Sequence, residues 1–145
     1  MALRTLRLVV LLALAGAGAG LTQAPPEPAE ARVRAVMNAY LYGLKHNDVA
    51  SLRNAFWPEA RLFFLKKDRS IGQLTQTEWY KGFEANAGKE EEGDLKIVAV
   101  DVTGAGAAVK VVEVYPGSTY TDYLSLLEIQ GDWKIVNKIY VVDKR

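Results

Sequence analysis

The chain has 145 residues, half of them hydrophobic, with no cysteine, one histidine and a formal charge of +1. That suits one domain around a single core. It excludes disulfides, thiol nucleophiles and cysteine-built zinc sites, and the scattered basic residues exclude a nucleic-acid footprint.

The first stretch, MALRTLRLVVLLALAGAGAG, reads as a secretory signal peptide over residues 1–19. Arg4 and Arg7 form its basic start, Leu6 to Leu14 its apolar run, and the alternating Ala and Gly its cleavage region. The run is too short for a stable membrane span. No cysteine follows it, so a lipid anchor is not expected. The mature protein is thus expected to be exported, periplasmic or secreted, with no stable membrane anchor. Loss of Arg4 and Arg7 leaves 16 basic against 17 acidic residues.

Residues 20–30 are a Pro-rich tether, and the domain spans 31–145. Val33, Val36, Met37, Tyr40, Leu41 and Leu44 make one apolar helical stripe, ended by KHND. Asp48 is placed to cap a short second helix, VASLRNAF, which Pro58 stops. ARLFFLKK and IGQLTQ form a hairpin around KDRS. Thr75 and Glu78 carry the capping-box spacing for a third helix, TEWYKGFEANA. GKEEEGD is a charged, solvated loop without the alternating acidic spacing of a calcium loop. Four β-branched runs follow: Lys96 to Val102, Ala107 to Tyr115, Thr119 to Gln130 and Trp133 to Val142. The turns between them predict an antiparallel meander. The plan is α+β.

The turns also predict register. A tight turn at Gly131 sets even residues of the third meander strand beside odd residues of the fourth. The Pro116-Gly117 turn sets odd residues of the second beside even residues of the third. One face then collects Val109, Val111, Glu113, Asp122, Leu124, Leu126, Ile135, Asn137, Ile139 and Val141. The other collects Lys110, Val112, Val114, Tyr123, Ser125, Leu127, Ile129, Val136, Lys138 and Tyr140. Neither is a solvated face. Three helices cover one, and a second copy of the chain is the simplest cover for the other. On this register Asp122 and Asn137 share a face that excludes Lys138, unless a bulge intervenes.

ARVRAVMNAYLYGLKHNDVASLRNAFWPEARL, followed later by TDYLSLLEIQGDWKIVNKIY, resembles the nuclear transport factor 2-like superfamily, in its exported SnoaL-like or putative lumazine-binding branch. The resemblance implies a cone-shaped, cystatin-like fold with three N-terminal helices packed on a curved antiparallel sheet. It also implies dimerisation through the sheet's convex side. It directs the position of Tyr140 into the cone and that of Ile139 outward. Carried along the predicted register, this makes Tyr123, Ser125, Lys138 and Tyr140 cavity residues and puts Asp122 and Asn137 on the dimer side. Composition by itself favours the opposite choice, because the face with Val111 and Ile135 is the drier one.

The superfamily contains ketosteroid isomerase, dehydratases, cyclases and binding modules, so function has to come from the site. Tyr40 stands eight residues before Asp48, as does the oxyanion-donating tyrosine of the isomerase; the plain alternative is a core aromatic. The isomerase's base carboxylate is replaced by Phe64, and its acidic donor falls at Ser125 or Tyr123. Many relatives have histidine where Trp57 stands. Lys138 on an apolar face could act as a base or hold an anion, or send its head to water. Asp122 with Asn137 could be an acid and its orienting amide, or a pair that fixes register. Glu113, near a turn, reads as solvated. His46 suits the end of the first helix. No nucleophile-elbow motif is present.

The expected function is an exported domain that binds a small apolar or aromatic ligand through Tyr40, Tyr123, Ser125, Lys138 and Tyr140, with no metal or cofactor. The alternatives are a proton-transfer enzyme with Lys138 or Asp122 as base and Tyr40 as acid, or a structural dimer with a filled cone.

Overall fold

The computed structural model describes residues 27–145. The expected signal peptide and most of the expected tether lie outside the described residues. Three helices come first: α1 (Ala29–His46), α2 (Val49–Ala55) and, after a hairpin, α3 (Gln76–Glu84). The hairpin is β1 (Phe56–Leu65) and β2 (Ile71–Thr75), and the meander is β3 (Asp94–Thr103), β4 (Gly106–Tyr115), β5 (Ser118–Ile129) and β6 (Asp132–Lys144). All six strands join one sheet in the order β2-β1-β6-β5-β4-β3. The pairings are antiparallel except β1 with β6, which run parallel. Among the described residues no helix is long and apolar enough to cross a membrane.

Local chemistry sets the helix ends. Asn47 takes the left-handed conformation that closes α1. The Asp48 carboxylate accepts from the amides of Ala50 and Ser51 and starts α2. Thr75 and Glu78 form a complete capping box on α3. Gln130 and Gly131 both have positive φ, as a two-residue turn between β5 and β6 requires.

The helices cover one face of the sheet. Val33, Met37, Tyr40 and Leu44 of α1 join Leu52, Phe56, Val109, Val111, Leu124, Leu126, Trp133 and Ile135 in one buried core. The opposite face is open: Tyr123, Leu127, Ile139 and Val141 are all exposed. The Val/Ile-rich face is therefore the inner one, as composition suggested, and the assignment of Tyr123 and Ser125 to the interior is corrected.

One residue explains the error. The turn-derived register holds from Ile129 opposite Asp132 to Leu126 opposite Ile135. The next pair is Ser125 with Asn137, so Val136 is an extra residue, a β-bulge. Beyond it Leu124 faces Lys138 and Asp122 faces Tyr140. The bulge moves Lys138 and Tyr140 onto the face that carries Asp122, and Asn137 onto the other.

Candidate functional site: a buried charged cluster beneath an aromatic pocket

Four polar side chains from four elements meet on the inner face. Tyr40 comes from the middle of α1, Glu113 from β4, Asp122 from β5 and Lys138 from β6. All are buried, and Tyr40 and Asp122 have no exposed surface. The Lys138 ammonium lies 2.6 Å from Asp122 Oδ2 and donates to the Tyr40 hydroxyl at 2.6 Å. Tyr40 gives its single proton to Asp122 Oδ2. Its oxygen is 3.4 Å from Glu113 Oε1, and the Tyr115 hydroxyl donates to Glu113 Oε2 at 3.1 Å.

An ion pair this deep is sustained only when its remaining polar atoms are also satisfied. Asp122 Oδ1 receives no N–H or hydroxyl proton. The neighbouring Glu113 carboxyl favours its protonated form: burial pushes its acid up to about 8, Lys138 pulls the other way, and the side chain of Asp122 raises it further. At neutral pH Glu113 thus carries a proton that the Asp122 carboxylate can accept, so the two carboxyls are compatible neighbours. Burial, then the charges of Asp122 and Glu113, hold Tyr40 well above the ordinary phenol range. Burial and then Glu113 raise Tyr115 as well. Counted as groups, the cluster is neutral: one ammonium, one carboxylate, one carboxylic acid and two phenols.

Above the cluster opens a pocket of about 1160 Å³. Glu113 and Lys138 edge its floor. Its walls include Trp79 and Phe83 of α3, Phe64 of β1, Tyr120 of β5 and Tyr140 of β6. Phe64 and Tyr140 stack at 5.2 Å, and Trp79 meets Phe83 edge-on at 5.0 Å. The Lys138 nitrogen sits 5.2 Å from the Tyr40 and Trp79 rings and 5.4 Å from the Tyr140 ring, a cation among three π faces. Lys66, Lys67, Lys144 and Glu92, all exposed, and half-buried Glu91 line its rim.

The structure brings together Tyr40, Asp122, Lys138 and Tyr140 of the residues singled out from sequence. It leaves out Tyr123, 48% exposed with Lys110 over its ring, and Ser125, also exposed on the outer face. Asn137 pairs with that outer Ser125 and lies far from an orienting role toward Asp122. His46 lies tilted against Tyr42, ring centroids 4.4 Å apart, on α1. Glu113 is the residue that sequence reasoning missed: it is buried, not solvated. The signal was available, because Val111 pairs with Asp122, and Glu113 lies two residues on along the same face. The GKEEEGD loop is likewise less free than its charge suggests. Lys45 donates to the carbonyls of Glu91 and Gly93 at 2.6 and 2.9 Å, and Asn47 to Glu91 Oε1 at 2.8 Å, which holds that rim of the pocket to the end of α1.

Among the described residues no group of His, Cys, Asp and Glu is placed to hold a metal ion. Tyr40 and Asp122 have no exposed surface, so of the cluster only Lys138, Glu113 and Tyr115, which line the pocket, can touch a molecule in it.

Comparison with known proteins places this architecture. No curated protein matches the sequence. Solved structures match over most of their length. An NTF2-like protein of unknown function from Shewanella baltica OS155 aligns with a TM-score of 0.71 at 24% identity, covering 78% of this chain and 92% of the other. Another from Silicibacter pomeroyi DSS-3 gives 0.69 at 23%, covering 78% and 94%. A cystatin-like fold protein from Burkholderia xenovorans LB400 gives 0.60 at 18%, covering 77% and 89%. At these identities the likeness establishes the fold: the cone-shaped α+β architecture expected from the sequence, with a parallel β1–β6 pair within its sheet. A family model described as "Putative lumazine-binding" matches residues 28–141. The chain belongs to that family and has the fold of the NTF2-like structures.

Proposed function

We propose that this protein is an exported small-ligand-binding domain whose ligand lies in the aromatic-walled pocket, on a floor of Lys138 and Glu113. The observation that carries this reading is the pairing of a roomy, largely aromatic pocket with a floor whose charges are already compensated within the protein. Few convergent polar groups in an apolar cavity are what ligand sites require. The open pocket weighs against the filled, purely structural cone. Native mass spectrometry of the mature protein from an exporting host tests the reading: retained non-covalent mass is expected. An empty protein that also gives no chemical-shift changes with a fragment library of aromatic compounds would overturn it.

A second reading, a proton-transfer enzyme, draws on one observation: the Glu113 acid, raised to about 8, edges the pocket. The roles first considered for Tyr40 as acid and Asp122 as base lose support, because neither has exposed surface. Lys138 is held in its ion pair. Enzyme action would fall to Glu113, and turnover of a bound carbonyl compound that vanishes in Glu113→Gln would favour it.

The exposed apolar outer face, with Tyr123, Leu127, Ile139 and Val141, supports a homodimer formed through the sheet. Sedimentation at micromolar concentration is expected to give twice the monomer mass; a monomer would remove the dimer and leave the pocket reading intact.

A further inference from the structure

Lys138 has more to offer than its partners use. An ammonium has three N–H donors. One points to Asp122 Oδ2 and one to the Tyr40 hydroxyl. No other acceptor within hydrogen-bond distance appears among the described residues. The residue is 4% exposed, and what remains of its surface edges the pocket floor. A buried, unused donor is costly unless water or a ligand satisfies it.

The surroundings limit what can satisfy it. A second cation is repelled by Lys138 itself. A second carboxylate would bring its charge beside Asp122, whose own charge already compensates Lys138, in a dry site where such repulsion is strong. An uncharged acceptor fits. The rings of Trp79 and Phe83 on α3 and of Phe64 and Tyr140 on the sheet favour a flat, π-rich body. We propose that the pocket selects uncharged, planar aromatic carbonyl compounds, with the carbonyl oxygen accepting the third N–H of Lys138 and the rings lying against these aromatic side chains. The inference rests on the binding reading and specifies its ligand class.

The test is equilibrium dialysis of the full mature chain with three matched probes: 2-acetylnaphthalene, 2-ethylnaphthalene and 2-naphthoate. The ketone is expected to bind at least tenfold more tightly than the hydrocarbon or the anion, the range of one hydrogen bond to a charged group. Equal binding of ketone and hydrocarbon would overturn the proposal and leave a non-selective apolar pocket, so the binding reading survives. Tightest binding of 2-naphthoate would overturn it in favour of an anion site. Binding of none would overturn it and count against the binding reading itself. The double variant Lys138→Met with Asp122→Leu removes both charges together and should erase the ketone preference while retaining the hydrocarbon. A preference that persists in that folded variant would also overturn the role of Lys138. The wild-type comparison decides the matter if the variant does not fold.

Discussion

Lys138, Asp122, Tyr40 and Glu113 act as one unit, so single substitutions should be unequal in an informative way. Lys138→Met leaves the Asp122 carboxylate buried without its cation, at an expected cost of about 3–5 kcal/mol in urea unfolding. Adding Asp122→Leu should recover most of it, because the orphaned charge goes too. Tyr40→Phe removes a hydroxyl bonded to both charges and should cost about 2–3 kcal/mol. Glu113 is different because its proton is the variable. Its unfolded acid titrates near 4.5 and its folded acid near about 8. Its contribution is therefore fully present below about pH 4.5 and is lost as the pH rises through about 8, since the folded state must keep a proton that the unfolded chain releases. Glu113→Gln has no proton to lose and still offers an N–H to Asp122. Thermal melts should show it level with wild type at pH 4 and more stable than wild type at pH 8.5. Parallel pH profiles for the two proteins would show that Glu113 is ionised in the folded state throughout.

At the scale of elements, the helices and turns were legible because their signals are local. Asp48, the Thr75–Glu78 pair and Gly131 each specify a geometry with their immediate neighbours. Asp48→Ala should cost about 1 kcal/mol by denaturant titration, the value of a lost helix cap. The bulge was not legible. Ile135, Val136 and Asn137 contain no glycine, and with apolar residues on both faces a one-residue slip left no exposed hydrophobe to betray it. That single residue decided which polar groups met, so the strands could be named correctly while the candidate site was assembled from the wrong members. Gly72 illustrates the same blindness. A Cβ there would stand 2.4 Å from the Phe64 ring, which lies over the glycine across the strand pair. Gly72→Ala should push that ring from its stack on Tyr140 and weaken binding of an aromatic probe several-fold by dialysis, with little change in the far-ultraviolet dichroism.

For the molecule as a whole, the inner face was readable from composition, since the strands richest in Val and Ile bury those residues against α1. The identity of the pocket's floor was not, because it depends on residues brought from α1 and the last three strands into one layer. The parallel pairing of β1 with β6 has a further consequence, one of timing. Phe56 lies beside Ile135, and Phe63 beside Ile139, so the sheet closes through contacts between residues far apart along the chain. Such pairing incurs its loop-closure entropy before any contact offsets it, and it slows folding. A chain arrested before β6 holds Tyr40, Glu113 and Asp122 but no cation to sit among them, and β1 has no central neighbour. β6 follows every other described strand in chain order, so the fold's keystone is made after the strands it joins. The polar cluster can lock only once Lys138 has been added, after Tyr40, Glu113 and Asp122 are already in the chain.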